Sequence, residues 1–137
     1  MAQDSSKADF WESRYRDNVI PWDAGKVPTA LQEYARKLSP GARVLIPGCG
    51  SAYEAAYLAG QGFDILAIDF SPAAVEAARK NLAGLADIVR LADFFAFDFA
   101  QPFDVIYERA FLCALPRKMW SGYADRCAEL LKPNGVI

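Results

Sequence analysis

The chain contains no histidine. Imidazole is the side chain that ordinarily changes charge near neutral pH. Its absence excludes histidine general bases, Ser-His and Cys-His nucleophile pairs, and every His-ligated metal site. Cysteine is scarce: Cys49, Cys113 and Cys127 are odd in number and widely spread, with no CxxC. That pattern argues against a disulfide framework and against zinc, so reduced thiols of a cytoplasmic protein are expected, and no metal. Long apolar runs are missing as well; none reaches the roughly 18 to 20 residues of a membrane span. The opening residues, MAQDSSK, lack a signal-peptide core. Neither sign of charge dominates, with 15 Lys and Arg against 17 Asp and Glu and a net charge of −2. Nothing therefore points to nucleic acid or an anionic membrane as a partner.

What is present is a 137-residue chain that is 53% hydrophobic. That makes one domain with a core of its own, free of repeats and low-complexity tracts. Residues 7–17 (KADFWESRYRD) read as a helix with Ser6 at its N-cap, and residues 1–27 as an N-terminal helical arm. Residues 28–137 read as an α/β core. Pro28 opens a second helix that runs to about Leu38, and Ser39-Pro40-Gly41 turns the chain.

Strands and helices then alternate. Arg43-Val44-Leu45-Ile46 is a short apolar run of the kind buried in parallel sheets. Ser51 and Glu54 have the spacing of a capping box for a helix ending near Ala59. Residues 63–68 (FDILAI) form a second strand, and Ser71-Pro72 caps and opens a helix over 72–82. Residues 88–91 and 103–107 read as the third and fourth strands. An amphipathic helix spans 117–131, Lys132-Pro133-Asn134-Gly135 forms a turn, and Val136-Ile137 starts a fifth strand. The fold class is α/β: a doubly wound, mostly parallel, Rossmann-like sheet with helices on both faces. Its C-terminal strands are missing from this chain, which reads as a piece of a longer protein or a trimmed form of one.

In such sheets ligands bind beyond the carboxyl ends of the strands. The first end carries Gly48-Cys49-Gly50, where glycines admit a ligand close to the backbone and to the amides that open the next helix. The second carries Asp69, 19 residues after Gly50, beside Phe70. A carboxylate there suits the two hydroxyls of a ribose. The third carries Asp93-Phe94, a polar group beside an aromatic face, which suits adenine. The fourth carries Tyr107-Glu108-Arg109. Taken singly, each has an ordinary alternative: a tight loop, a helix cap, core aromatics, a surface ion pair. Taken together they point to an adenosine-type cofactor. A dinucleotide fingerprint needs a third glycine where Tyr53 stands, and no Walker-A sequence occurs. An adenosine without phosphates fits better, which means S-adenosyl-L-methionine. On the arm, Trp11 and Tyr15 share a helix face and Trp22 follows. Aromatic faces attract a sulfonium by about 0.5 to 2 kcal/mol each; the same three rings equally suit pinning the arm to the sheet.

Trp11-Glu12-x-x-Tyr15, Ile20-Pro21-Trp22-Asp23, VLIPGCGSAYE, AIDFS, LADFF, FDVIYERAFLCAL and ELLKPNG together resemble the thiopurine S-methyltransferase superfamily. That group includes halide and thiol methyltransferases and has the class I methyltransferase fold. The resemblance covers nearly all of the chain from Phe10 onward. It departs at Ser51-Ala52, where the commoner loop has one more glycine, and at Ile46, where many methyltransferases carry an acid. It implies that Trp11, Tyr15, Trp22, Gly48, Cys49, Gly50, Asp69, Phe70, Asp93, Phe94 and Arg109 bind the cofactor. Arg109 also faces the acceptor and draws in its anion, as the arginine of the thiopurine enzymes rather than the tyrosine of the halide ones. The reaction implied is methyl transfer to a small soft nucleophile: a thiopurine, thiol, halide or chalcogen species. Thiolates and halides need little or no base, which accords with the lack of histidine; Asp93 and Glu108 are the weaker base candidates. The partner expected is a small-molecule substrate, and a monomer is expected. The alternatives are an NAD-binding oxidoreductase and a non-catalytic cofactor-binding fragment.

Overall fold

A computed structural model of the chain describes residues 5–16, 26–82, 84–109 and 111–137, with the side chain of Tyr15 outside that description. Five strands form one sheet: β1 (Arg43–Pro47), β2 (Asp64–Asp69), β3 (Val89–Leu91), β4 (Phe103–Ile106) and β5 (Leu131–Val136). Their order is β3-β2-β1-β4-β5, and every neighbouring pair is parallel. The helices are α1 (Ala8–Arg16), α2 (Thr29–Ala35), α3 (Tyr53–Gly60), α4 (Pro72–Lys80), α5 (Phe111–Ala114) and α6 (Trp120–Leu130). None of them is long and apolar enough to cross a membrane.

β1 is central because its sequence leaves it no solvent face. Val44 through Pro47 are all buried. Side chains alternate across a strand, so Val44 and Ile46 join one core cluster and Leu45 the other. The first cluster takes Leu31 of α2, Ala55 and Leu58 of α3, and Val75 and Ala78 of α4. The second takes Tyr123, Cys127 and Leu130 of α6 together with Phe94, Phe103 and Ile106. Helices thus cover both faces, as the strand–helix alternation predicts. The chain leaves β1 in one direction to build β2 and β3 and returns on the other side as β4. That reversal opens a crevice at the carboxyl ends of β1 and β4.

Several local expectations change. Ser71 caps α4 as foreseen: its Oγ accepts the Ala74 amide at 3.2 Å, with Pro72 in the first turn. The capping box at Ser51 and Glu54 is not made. The N-cap of α3 is Ala52 in the left-handed region (φ 62), with no side-chain bond to the helix. Ala52 stands where the commoner loop has its extra glycine, and its methyl makes that backbone conformation costly by about 1–2 kcal/mol. Glu54 is turned elsewhere, as described below. The second helix starts after Pro28 and ends at Ala35 rather than near Leu38, and α4 ends at Lys80. The predicted helix over 117–131 begins with a 3₁₀ turn (Arg117–Met119) before α6. The short α5 was not foreseen. Lys132 to Gly135 do not separate helix from strand; they lie inside β5. Their turn chemistry survives as an irregularity, since Phe103 pairs with Leu131 but Val105 with Val136, and Asn134 has φ 69. Extra residues on one strand of a pair make a bulge, and a proline is tolerated there.

Leu45 is fully buried, whereas Leu91 is 54% exposed on the outer strand β3. Leu45→Ala is expected to cost about 2–5 kcal/mol of unfolding free energy and Leu91→Ala about 0.5 or less, measured as urea midpoints.

Candidate functional site

The crevice opens into a cavity of about 290 Å³ reached from all four strand ends. From β1 comes Gly48, from β2 Asp69 and Phe70, from the segment after β3 Asp93 and Phe94, and from the segment after β4 Arg109. Trp11 of α1 closes the wall from the arm side. Seven residues singled out from sequence therefore meet at one place. Cys49 and Gly50 do not line this cavity; they line a smaller adjoining recess of about 40 Å³ with Glu54, Tyr107 and Arg109. Trp22 lies outside the described residues. Tyr15 sits on α1, and its side chain lies outside the described residues as well.

Asp69 is the electrostatic centre. Its Oδ2 accepts the Gly50 amide at 3.3 Å and its Oδ1 accepts the Ser71 amide at 3.1 Å. Burial pushes its carboxyl up to about 6, against the pull of the backbone amides of Ser71, Gly50 and Phe70, and the Glu12 carboxylate adds a smaller push. Both oxygens keep a lone pair after these bonds.

Cys49 is buried. Its thiol is raised well above its ordinary range, by burial first and the Asp69 charge second. A thiol held protonated is not a nucleophile, so its place in the loop is a packing one.

The loop geometry explains its glycines. Gly48 has φ +60, and a Cβ there would stand 2.4 Å from Cδ1 of Phe111. Only glycine lets the Phe111 ring lie against the end of β1. Phe111 in turn packs edge-on to Phe94 at 5.6 Å, and Phe94 packs edge-on to Phe95 at 5.2 Å. Phe94 is 3% exposed, so the core and cavity-wall readings of it both hold. Asp93 is exposed and accepts the Phe95 amide at 2.9 Å. Phe95, Phe111, Cys113, Leu115 and Met119 extend the apolar wall and were not foreseen. The run of apolar residues from Phe111 to Leu115 is the sequence signal that could have found them.

Arg109 reaches both the cavity and the recess. It does not pair with Glu108. Its Nε lies 3.3 Å from Oε1 of buried Glu54, and its charge pulls against the burial that raises the Tyr107 hydroxyl. Glu108 instead accepts the Phe111 amide at 3.0 Å, fixing the start of α5. A carboxylate as buried as Glu54 needs such a partner. On the arm, Trp11 donates from Nε1 to the Ser5 carbonyl at 2.7 Å. Glu12 accepts from the Ser71 hydroxyl at 2.8 Å and from the Ala73 amide at 2.9 Å. Glu12, like the Glu54–Arg109 pair, was missed: a glutamate on a helix reads as solvent-facing until its partner is known.

Comparison with known proteins follows the same lines. The family model described as Thiopurine S-methyltransferase (TPMT) matches residues 6–137. A probable thiol methyltransferase 2 of Arabidopsis thaliana is 31% identical over 142 residues, covering 100% of this chain and 62% of its own length. A thiopurine S-methyltransferase of Pseudomonas putida is 34% identical, covering 91% of this chain and 67% of its own. The chain thus spans about three fifths to two thirds of these relatives. Among solved structures, the magnesium protoporphyrin IX methyltransferase of Synechocystis with bound SAM superposes with a TM-score of 0.74 at 18% identity. That match covers 96% of this chain and 74% of the other.

An acid whose folded pKa is raised destabilises the fold once ionised. The stability that goes with protonated Asp69 is complete below the unfolded value near 3.8 and is lost as pH rises through about 6. With a rise of two units the loss is roughly 2–3 kcal/mol. Wild type is therefore expected to lose stability relative to Asp69→Asn between pH 4 and 7, measured by urea unfolding at each pH.

Proposed function

The chain belongs to the thiopurine S-methyltransferase family, and from that premise we propose that it binds S-adenosyl-L-methionine and transfers its methyl group to a small soft nucleophile. The observation that carries this reading is the Asp69 carboxylate, buried at the end of β2 and open to the cavity. The residues present fit the cofactor. Asp69 takes the paired ribose hydroxyls on the lone pairs left by Gly50 and Ser71. Asp93 would accept from the exocyclic amine of adenine, and Phe94 would supply apolar wall beside it. Gly48 gives the methionine end access to the backbone. Trp11 covers the opening from the arm, so residues 1–27 act as a cover and residues 28–137 as the binding core. Tyr15 and Trp22 complete the aromatic set of the arm, and Phe70, Cys49 and Gly50 complete the loop and wall.

When bound, the cofactor supplies a methyl group on a cationic sulfur. The chain's own contribution is alignment and exclusion of water. Holding the reactants in line supplies several kcal/mol, up to about 7–11 in favourable cases. The apolar wall of Phe94, Phe95 and Phe111 keeps water from the reacting atoms. No proton need be removed from a thiolate or a halide, and no strong base lines the cavity among the described residues. Arg109 orients the acceptor anion. Its charge is opposed by Glu54, so it acts by position more than by net attraction. The acceptors we infer are a thiopurine, thiol, halide or chalcogen species, with the protein acting as a monomer in the cytoplasm.

Titration calorimetry with S-adenosylhomocysteine tests the reading, with NAD in parallel. Wild type should bind the homocysteine nucleoside and not NAD, and Asp69→Ala should bind it at least about tenfold more weakly, as loss of a buried charge-assisted contact does. Arg109→Ala should weaken that binding less than Asp69→Ala does and should also raise the KM for an anionic thiol. No binding by folded wild type, or undiminished binding by Asp69→Ala, would overturn the assignment.

A further inference from the structure

Glu12 sits in the middle of α1, one residue after Trp11, and its half-buried side chain turns its carboxylate onto α4. Its Oε2 receives two hydrogen bonds from the start of α4, 59 and 61 residues away in sequence: the Ser71 hydroxyl at 2.8 Å and the Ala73 amide at 2.9 Å. Ser71 is itself fully buried. Its Oγ accepts the Ala74 amide while its hydroxyl proton goes to Glu12, so the orphan amides of this helix end are shared between a local cap and a remote one. A carboxylate is well placed there, because the helix dipole presents positive potential at that end.

Ser71 also looks the other way. Its amide donates to Oδ1 of Asp69, whose Oδ2 accepts the Gly50 amide. A continuous run of hydrogen bonds therefore joins Glu12 on the arm to the glycine loop through Ser71 and Asp69. Trp11 lines the cavity next to this run. Holding Glu12 on α4 holds Trp11 over the site.

We infer that Glu12 is a positioning residue: it latches the arm to the N-terminus of α4 and so couples closure of the arm to the carboxylate that takes the ribose. The inference rests on the cofactor reading given above and deepens it. It assigns Glu12 no contact with the cofactor. Three consequences follow. Arm docking and ligand binding reinforce one another, because each orders the same hydrogen-bond run. Removing the carboxylate weakens ligand binding without removing a ligand contact. It also relieves Asp69 of the push of the Glu12 carboxylate; among the described residues Cys49, from the loop after β1, also faces Asp69 and is held protonated.

The test compares wild type, Glu12→Ala and Glu12→Gln for S-adenosylhomocysteine affinity across pH 5 to 8, with urea unfolding to establish that each variant is folded. Glu12→Ala should bind about 3- to 30-fold more weakly, the span that loss of a helix N-cap corresponds to. Glu12→Gln keeps an acceptor oxygen for α4 and should recover part of the affinity. In both variants the acidic limb of the affinity profile, which reports Asp69, should move to lower pH. A residue that merely stabilised the fold would lower the urea midpoint and leave the affinity of the folded variant unchanged. Wild-type affinity in a folded Glu12→Ala, wherever the limb lies, would overturn the latch, with the cofactor reading intact as long as Asp69→Ala still loses binding. Failure of wild type to bind would instead remove the cofactor reading itself. Should Glu12→Ala unfold, Glu12→Gln decides alone: weakened binding by the folded variant is expected, and wild-type affinity would overturn the latch.

Discussion

Keeping a carboxylate ionised where water is largely excluded is the demand around which this molecule is arranged. Asp69 ends a strand whose neighbours are apolar, and its anion is opposed by burial and helped only by backbone amides. Those amides have to come from somewhere. One comes from the glycine loop after β1 and another from the turn into α4, so the two halves of the crevice are held together by the group that costs most to bury. A neutral side chain in its place would ease the fold and, in the function proposed, remove the acceptor for a pair of hydroxyls. Activity and stability pull against one another here, as they do where sites are built from desolvated charge.

The fold was legible because burial on both faces writes itself into composition. Val44-Leu45-Ile46 and the residues from Ile65 to Ile68 have no polar alternation, and only a covered parallel sheet has room for that. Ser71-Pro72 was legible too, since its cap needs only residues close in sequence. What failed were features with a local signal and a distant answer. Ser51 and Glu54 have capping-box spacing, yet Glu54 serves Arg109, 55 residues on, and leaves the helix end to Ala52. The turn chemistry of Lys132 to Gly135 was read correctly as a break in regular structure, but the pairing of β4 with residues on either side absorbed it into a strand. For the site, strand ends supplied Gly48, Asp69, Asp93 and Arg109. The wall from Phe95 to Met119 depends on how α5 folds back, which no short-range pattern specifies.

Among the described residues, α1 packs on α4 and contributes none to the two main clusters of buried side chains. Glu12 supplies directional polar contacts across that interface. A helix held by polar contacts detaches at lower cost than a core helix, because little apolar surface has to be re-exposed. That accords with the cover role proposed for the arm, which must admit a ligand and then hold it.

Strand β5 has a meaning beyond its pairing with β4. Pro133 has no amide hydrogen, and Asn134 is turned into the left-handed region in the strand's middle. The irregularity lies between the two pairs that join the strands, Phe103 with Leu131 and Val105 with Val136. A slip of one residue would have to carry the whole bulge with it, so the residues that spoil the strand's regularity also pin its register against β4.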